Sequence, residues 1–349
     1  MLSTKWILTT AVVLPLSLLA GGGAFLALRV QAENPRGVQS DEESQPPAAD
    51  DQVTLQWEFE IDKPFYQEMT TITRQDMLFL PANANGVYGH EQTLYFSWRP
   101  VGLDKDGNWV LKQKVEAVRF VFRDAGGKKT YEYDSRKDPG GVPTLVAHYC
   151  KQFVSSEFTL TFGKDGKIQR DKDRDDLMKR LEEYQPALQT HDAQVLSDAA
   201  LRQSAEILLN PLNPKPVRSG DSWTWNQMLK LRPIGKIETR YQFSYARQEG
   251  KAIHIDVQST LEGKELQGKD KKLKGKGKGT ILFDLDKGRI ISEELESQLE
   301  GKIDAVSQGM LRIAPRDPAA LTHTDVELKQ RQKITIKTSD MNLAQLKEE

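Results

Sequence analysis

The sequence has little cysteine and no excess of either charge. Cys150 is the only cysteine among 349 residues, so no disulfide can form within one chain. Lys and Arg total 49 against 50 Asp and Glu, a formal net charge of −1. Because dedicated nucleic-acid binders are usually strongly basic, this balance argues against a nucleic-acid partner. A single cysteine suits the cytosol, but it also suits a large exported domain whose core needs no cross-link.

The patterns of familiar catalytic and metal sites are also missing. None of the five histidines pairs with another at a spacing of four. His148 and Cys150 lie two apart on a predicted helix, so their side chains point to different faces. There is no G-x-S-x-G motif, and Cys150 lies inside an amphipathic helix, which favours a structural role. We therefore assign no catalytic, cofactor-binding or metal-binding residue, expect no cofactor, and expect that the protein is not an enzyme.

One acidic run leaves a metal question open. The segment Asp171–Glu182 places acids at several positions of a calcium-binding EF-hand loop. However, Asp176 stands where the sharp turn of that loop needs glycine, and a strand rather than a helix is predicted before it. The favoured interpretation is a set of acids at a helix N-terminus, with a weak surface calcium site as the alternative.

A long uncharged segment lies near the N-terminus. Residues 6–28 (WILTTAVVLPLSLLAGGGAFLAL) carry no charge, and a helix of this length spans a hydrocarbon core of about 30 Å. We predict a transmembrane signal-anchor helix here, with residues 1–5 cytoplasmic and the bulk of the chain outside the cytoplasm of a single-pass membrane protein. The alternative is a signal peptide cleaved after Ala32, which would leave a secreted or periplasmic protein. The length of the apolar run favours the anchor.

The rest of the chain divides by composition. Residues 29–52 are rich in Pro, Ser, Asp and Glu, which predicts a disordered acidic stalk. Residues 53–338 alternate apolar and polar side chains and are predicted to form a single extracytoplasmic β-rich domain. Residues 339–349 form a polar tail.

Within the domain, turn residues separate alternating runs and predict hairpins. Turns are expected at Asp104–Asn108, Lys164–Gly166, Glu249–Gly250 and Asp286–Gly288. Helical spacing in the middle of the chain predicts three helices, over Val142–Phe153, Asp173–Tyr184 and Ser197–Asn210. Strands, then helices, then strands indicate an α+β fold. We expect a strongly curved antiparallel sheet, half-barrel-like, with these few helices packed against it and one transmembrane helix before it.

Two strand segments carry unusual residues. Lysines and glycines alternate from Lys274 to Gly279, but no serine or threonine directly follows a Gly-Lys pair as a phosphate loop requires. This run is predicted to form an exposed sheet edge, with the strand opening at Thr280 and the glycines allowing it to bend. Trp223 and Trp225 share one strand face, where they would fill the core or, less often, form a sugar or lipid platform.

Several short blocks together resemble a known family. These include DKPFYQEMTTITRQDM, FSWRPV, DGNWVLKQKVEAVR, SSEFTLTF, GDSWTW, PIGKIETRYQFSY and GTILFDLDKGRI, spread between Val53 and Thr338. They are similar to an uncharacterised family of exported or membrane-anchored bacterial proteins, classed as a domain of unknown function. The resemblance implies a strand-rich layout like that of periplasmic lipoprotein-carrier half-barrels, and it implies no catalytic residues.

The expected function follows from these features. We expect a membrane-anchored extracytoplasmic binding domain, attached through residues 6–28, that holds an apolar ligand or a partner in a concave sheet. The partner would be a lipid or an envelope protein, not a nucleic acid. The alternative is a structural or assembly protein of the cell envelope that binds no small molecule.

Overall fold

The structure is a computed structural model, which describes part of the chain. The described residues are 52–80, 84–123, 129–137, 151, 154, 156–163, 168–172, 209, 212–213, 215–231, 235–266, 270–304 and 325–345. The predicted anchor lies outside these residues, as does the predicted stalk except for Gln52. Among the described residues, no helix has the length and apolar composition needed to cross a membrane.

The described residues form twelve strands and one short 3-10 helix. The strands are β1 (Phe65–Leu80), β2 (Ala84–Leu103), β3 (Trp109–Arg123), β4 (Lys129–Asp134), β5 (Glu157–Phe162), β6 (Ile168–Lys172), β7 (Ser222–Leu231), β8 (Gly235–Glu249), β9 (Ala252–Lys264), β10 (Lys272–Asp284), β11 (Arg289–Asp304) and β12 (Asp325–Ser339). The 3-10 helix spans Leu343–Gln345. Many of these strands are far longer than the usual five or six residues.

All twelve strands belong to one antiparallel sheet. Their order is β6-β5-β3-β2-β1-β12-β11-β10-β9-β8-β7, with β4 paired to β3 beside this path. β1 therefore pairs with β12, which joins the first and last strands at the centre of the sheet. The two ends of the path, β6 and β7, are not paired to each other in the part of the chain that is described, so the sheet stays open.

The expectation of an α+β fold is wrong. The described elements are strands apart from Leu343–Gln345, and the sheet is all-β. The predicted helices lie outside the described residues except for Lys151 and Leu209. In the part of the chain that the structure describes, the buried face packs against the segment 53–59 and against Leu209, Leu212 and Val217. The antiparallel sheet itself was predicted correctly.

Strict alternation gives the sheet one buried face and one exposed face. On β12, for example, residues at even positions from Val326 to Ile336 are buried, while their neighbours are exposed or half-buried. Side chains two apart on a strand point to the same side, so these residues share the buried face, with Gln330 and Gln332 between Leu328 and Ile334. Trp98, Phe243 and Phe283 are among the largest fully buried side chains of this core.

The segment before β1 shows that the sheet curves around the core. The backbone N–H of Glu58 donates to the carbonyl oxygen of Gly288, in the β10–β11 turn, at 2.8 Å. The ring of the next residue, Phe59, lies 5.4 Å from Trp109 on β3 and 5.8 Å from Phe162 on β5. A flat sheet would separate β3 from β11 by about 19 Å, or four strand spacings. Adjacent residues reach both regions because the buried face is concave at this end of the strands, beside the β2–β3 and β10–β11 turns.

The predicted turns that fall in described residues are confirmed. Asp104 closes the β2–β3 turn, where its Oδ1 accepts hydrogen bonds from the backbone N–H groups of Asp106 (2.9 Å) and Asn108 (3.0 Å). Gly250 and Gly288 have positive φ angles of 61° and 53°, which glycine adopts without strain. The predicted turn at Lys164–Gly166 lies outside the described residues.

The predicted sheet edge at the lysine-glycine run is wrong. β10 begins at Lys272 and pairs along its length with both β9 and β11, so it is a central strand. Its lysines point to the exposed face and its glycines to the inner face. A Cβ at Gly279 would overlap the carbonyl oxygen of Glu294 and the side chain of Leu295. Glycine therefore serves here to let β11 approach closely.

Candidate ligand-binding trough on the exposed face

The exposed face of the sheet contains a broad trough. It has a volume of about 1510 Å³. Six neighbouring strands line it, in the order β1, β12, β11, β10, β9 and β8. Its charged lining residues are Arg74, Arg240, Lys276, Lys278, Arg331, Lys333 and a single carboxylate, Glu296. Glutamine, serine and threonine supply most of the remaining lining, and Ile72 is its one large apolar side chain. The trough is therefore strongly cationic on a protein of nearly zero net charge.

Strand register aligns four of these cations in one row across the sheet. Arg74 pairs with Arg331, and Arg331 pairs with Gln298. Gln298 pairs with Lys276, which pairs on its other side with Thr260, and Thr260 pairs with Arg240. We call Arg74, Arg331, Lys276 and Arg240 the cation row. With strands about 4.8 Å apart, the row extends over about 24 Å.

The neighbouring row on the same face has a different charge pattern. It reads Asp76, Lys329, Glu300, Lys274, Glu262 and Glu238 across the same six strands. There each lysine stands between two acids, so its charge is matched across the strands. The cation row contains no acid among its six paired positions.

Several cations elsewhere on the domain form ion pairs with carboxylates. Lys287 and Arg289 both bind Asp340, at 2.8 and 2.5 Å, beside a smaller pocket of about 340 Å³. In the trough, Lys333 pairs with Glu294 at 2.7 Å.

The cation row is left largely unneutralised. Arg240, Lys276 and Arg331 form no ion pair with any carboxylate that the structure describes, and Arg74 lies 3.6 Å from Asp76. Unmatched cations in a concave surface raise the local potential and attract anions.

The residues weighed from the sequence lie away from the trough. His148 and Cys150 are outside the described residues. So is most of Asp171–Glu182, of which Asp171 and Lys172 end β6. Within the described ranges, no group of three or more His, Cys, Asp or Glu is placed to hold a metal ion.

Trp223 and Trp225 form an aromatic ladder at the open strand β7. The Trp223 ring stacks on Phe243 at 5.5 Å, and the Trp225 ring stacks on Tyr241 at 5.1 Å. Both tryptophans are half-buried and pack against the core. These contacts favour the core-filling interpretation, and half-burial leaves part of each ring exposed.

The strongest pKa shifts also belong to the inner face. Burial lowers the pKa of His90, which is 2% exposed, to about 4. Burial, together with the charge of Glu293, raises the pKa of Tyr241. Neither residue lines the trough, so these shifts reflect core packing and not the chemistry of the trough.

Sequence reasoning missed the cation row because the row depends on register. Alternation alone places Arg74, Arg240, Lys276 and Arg331 on polar faces of four separate strands. Nothing local states that β1 lies beside β12, which follows it by more than two hundred residues. Only the pairing of strands brings the four cations into one line.

The fold and the trough define an open all-β domain with a cationic exposed surface. The model of a family of unknown function, DUF6263, matches residues 106–290, more than half of the sequence, and the chain belongs to that family. A comparison with curated proteins gives no match.

Some solved structures share a distant likeness. One reports lipid–protein interactions in lipovitellin, with a TM-score of 0.42 and 11% identity over 83% of this chain and 27% of that chain. This chain thus spans about 27% of the lipovitellin chain. Another is DynF from the dynemicin biosynthesis pathway of Micromonospora chersina, with a TM-score of 0.17 and 8% identity over 86% of this chain and 92% of that chain. A third is OccAB3 of Acinetobacter baumannii, with a TM-score of 0.20 and 7% identity over 80% of this chain and 100% of that chain. Likenesses this weak carry no argument about function, and the half-barrel layout remains a prediction.

Proposed function

We propose that this protein is a non-enzymatic binding domain, held on the outer side of a membrane by residues 6–28, that captures an anionic ligand in the trough. The observation that carries the proposal is the cation row, four side chains in one line without an acid among them. Arginine and lysine recognise phosphate and sulfate groups, and arginine does so with two parallel hydrogen bonds.

The composition of the trough favours binding over catalysis. Among the described residues, its lining consists mainly of cations, amides and hydroxyl groups, with Glu296 as the one carboxylate and without a histidine or cysteine. Histidine is the most frequent general acid–base group, and the described lining contains none. Fixed charges and hydrogen-bond donors instead suit recognition of an anion.

The predicted membrane attachment supports the same function. An anchor at residues 6–28 and an acidic stalk at 29–52 would hold the domain near the membrane but free to reach ligands around it.

A second candidate is an apolar ligand on the inner face of the sheet. The aromatic ladder of Trp223 and Trp225 favours it, because these half-buried rings lie on β7, at an open end of the strand order. The Nε1 atom of Trp223 is buried and has no hydrogen-bond partner among the described residues. Lipid extraction of the purified full-length protein followed by mass spectrometry tests this candidate. Absence of a co-purifying lipid would count against it.

Retention on immobilised heparin, a sulfated polysaccharide, tests the anion-binding proposal. The full-length chain, purified in a non-ionic detergent, is eluted with a salt gradient beside the triple variant Arg240→Gln, Lys276→Gln, Arg331→Gln. The matched control removes three other exposed cations of the same face, Lys272→Gln, Lys274→Gln, Lys329→Gln. We expect the first variant to elute at clearly lower salt and the control to elute close to the wild type. Equal shifts for the two variants would count against the trough and leave the envelope-assembly alternative.

A further inference from the structure

We infer that the ligand is an extended, flexible polyanion with phosphate or sulfate groups, which crosses the strands along the cation row. This inference rests on the proposed function and specifies its ligand. It follows from the spacing of the four cations, from the shape of the trough and from what its lining does not offer.

The spacing separates the row into one tight pair and two single cations. Arg74 and Arg331 are directly opposite on neighbouring strands, close enough to share one tetrahedral anion. Lys276 lies two strands beyond Arg331, and Arg240 two strands beyond Lys276, which gives steps of about 10 Å. A single phosphate group cannot contact all four side chains. A chain carrying an anion at each step can contact all of them.

The lining between the cations suits a hydrophilic chain. Gln298 fills the step between Arg331 and Lys276, and Thr260 fills the step between Lys276 and Arg240. Both side chains can donate and accept hydrogen bonds, so they can contact the uncharged links of a polymer. Uncharged Gln298 and Thr260 thus alternate with the cations along this part of the row, as uncharged links alternate with anionic groups along the proposed ligand.

Other anionic partners fit this surface less well. A folded protein partner is usually anchored by buried aromatic or large apolar side chains, and Ile72 is the one large apolar residue in the trough. Single-stranded nucleic acid needs aromatic platforms for its bases, and none stands among the described lining residues. A flat membrane surface cannot follow a concave trough about 24 Å long. A flexible polyanion meets each of these constraints.

The inference is tested by varying the length of the polyphosphate and by replacing Arg240, the cation at the far end of the row. Tripolyphosphate and long-chain polyphosphate are titrated calorimetrically into the full-length chain in non-ionic detergent. The variants are Arg331→Gln in the tight pair, Arg240→Gln at the far end and Lys274→Gln in the neighbouring row. Polyglutamate of similar charge serves as a carboxylate probe. Thermal unfolding of each variant verifies that it is folded.

The expected result is a selective loss. Arg331→Gln weakens both ligands, whereas Arg240→Gln weakens long-chain polyphosphate alone, each by roughly tenfold for one lost charged hydrogen-bonding group. Lys274→Gln leaves both affinities unchanged, and polyglutamate binds more weakly than polyphosphate.

Four results would overturn the inference in distinguishable ways. If both phosphates bind equally well through Arg331 and ignore Arg240, the ligand is a compact anion and the proposed function stands. If polyglutamate binds as tightly, the partner is an acidic peptide, which includes the acidic stalk of this chain. If all three variants weaken binding alike, the association is not specific to the trough. If neither phosphate binds, the proposed function fails as well.

Discussion

Arg74 and Arg331 lie directly opposite each other on β1 and β12, at the junction of the first and last strands of the sheet. Two like charges in a cross-strand pair repel each other unless an anion lies between them. The pair also brings together two residues that are more than two hundred and fifty positions apart in the sequence. Asp76 lies 3.6 Å from Arg74, whereas Arg331 forms no ion pair with a described carboxylate, so the positive charge of the pair is matched only in part.

This pair should lower stability when no anion is bound. Replacement of Arg331 by glutamine removes the repulsion and should raise the free energy of unfolding by about 0.2–1 kcal/mol at low salt. The control Lys329→Gln should lower it by a similar amount, because Lys329 stands opposite both Asp76 and Glu300. Urea unfolding of the full-length chain in a non-ionic detergent measures both changes. Changes of the same sign in the two variants would contradict the pairing described here.

Gly279 should be essential to the close approach of β10 and β11. Gly279→Ala places a methyl group against the carbonyl oxygen of Glu294 and the side chain of Leu295, and should cost roughly 1–3 kcal/mol. The control Lys278→Ala changes the adjacent exposed position and should stay within about 0.5 kcal/mol of the wild type. Intrinsic strand propensity works in the opposite direction, since alanine is less costly than glycine in a regular strand. A neutral or stabilising Gly279→Ala would show that the strands can separate without loss.

His90 should make stability depend on pH in a mildly acidic window. Its pKa is about 4 in the folded chain against an ordinary value of 6.5, so the unfolded state binds the proton more readily between these values. Stability should therefore be highest above pH 6.5 and fall towards pH 4, by about 3 kcal/mol in total. Unfolding measured at several pH values should show this slope in the wild type and a flatter one in His90→Gln.

One comparison separates His90 from other titrating groups. Hydrogen bonds from Lys287 and Arg289 hold the pKa of Asp340 below its usual value, so its contribution is present above about pH 4 and is lost only at lower pH. An unchanged slope in His90→Gln would mean that another group produces the pH dependence.

The predicted topology can be tested without reference to the ligand. A reporter enzyme that is active only outside the cytoplasm, fused after Glu349, should be active, and deletion of residues 6–28 should abolish that activity. Cell fractionation should find the intact fusion in the membrane fraction. If the fusion is released in soluble form and its N-terminus is Glu33, the segment is a cleaved signal peptide. Activity of a reporter that works only in the cytoplasm would contradict the proposed location.

The sequence predicted the strands well because alternation is a local signal. The run Asp325–Ser339 alternates strictly, and β12 forms there with its even positions buried. Turn chemistry likewise identified the β2–β3 turn, because Asp104 and Asn108 form it from residues within five positions. Such features need no knowledge of distant parts of the chain.

The errors arose where the answer depends on strand order. Lysines at Lys274, Lys276 and Lys278 are typical of an exposed edge, yet β10 is central because β9 and β11 pair on its two sides. Lysines on the exposed face of a strand are in contact with solvent in a central strand as well as in an edge strand. The sequence alone therefore could not distinguish a central strand from an edge strand. The cation row depends on five successive strand pairings and was equally beyond prediction.

The salt dependence of polyphosphate binding tests the central claim most directly, because it counts the cations that contact the ligand. The logarithm of the association constant should fall against the logarithm of salt concentration with a slope of about −3 for four contacts along the row. Each of Arg74→Gln, Lys276→Gln, Arg331→Gln and Arg240→Gln should reduce the slope by about one, whereas Lys274→Gln should leave it unchanged. A wild-type slope near zero, or equal reductions in the row variants and in Lys274→Gln, would contradict the account.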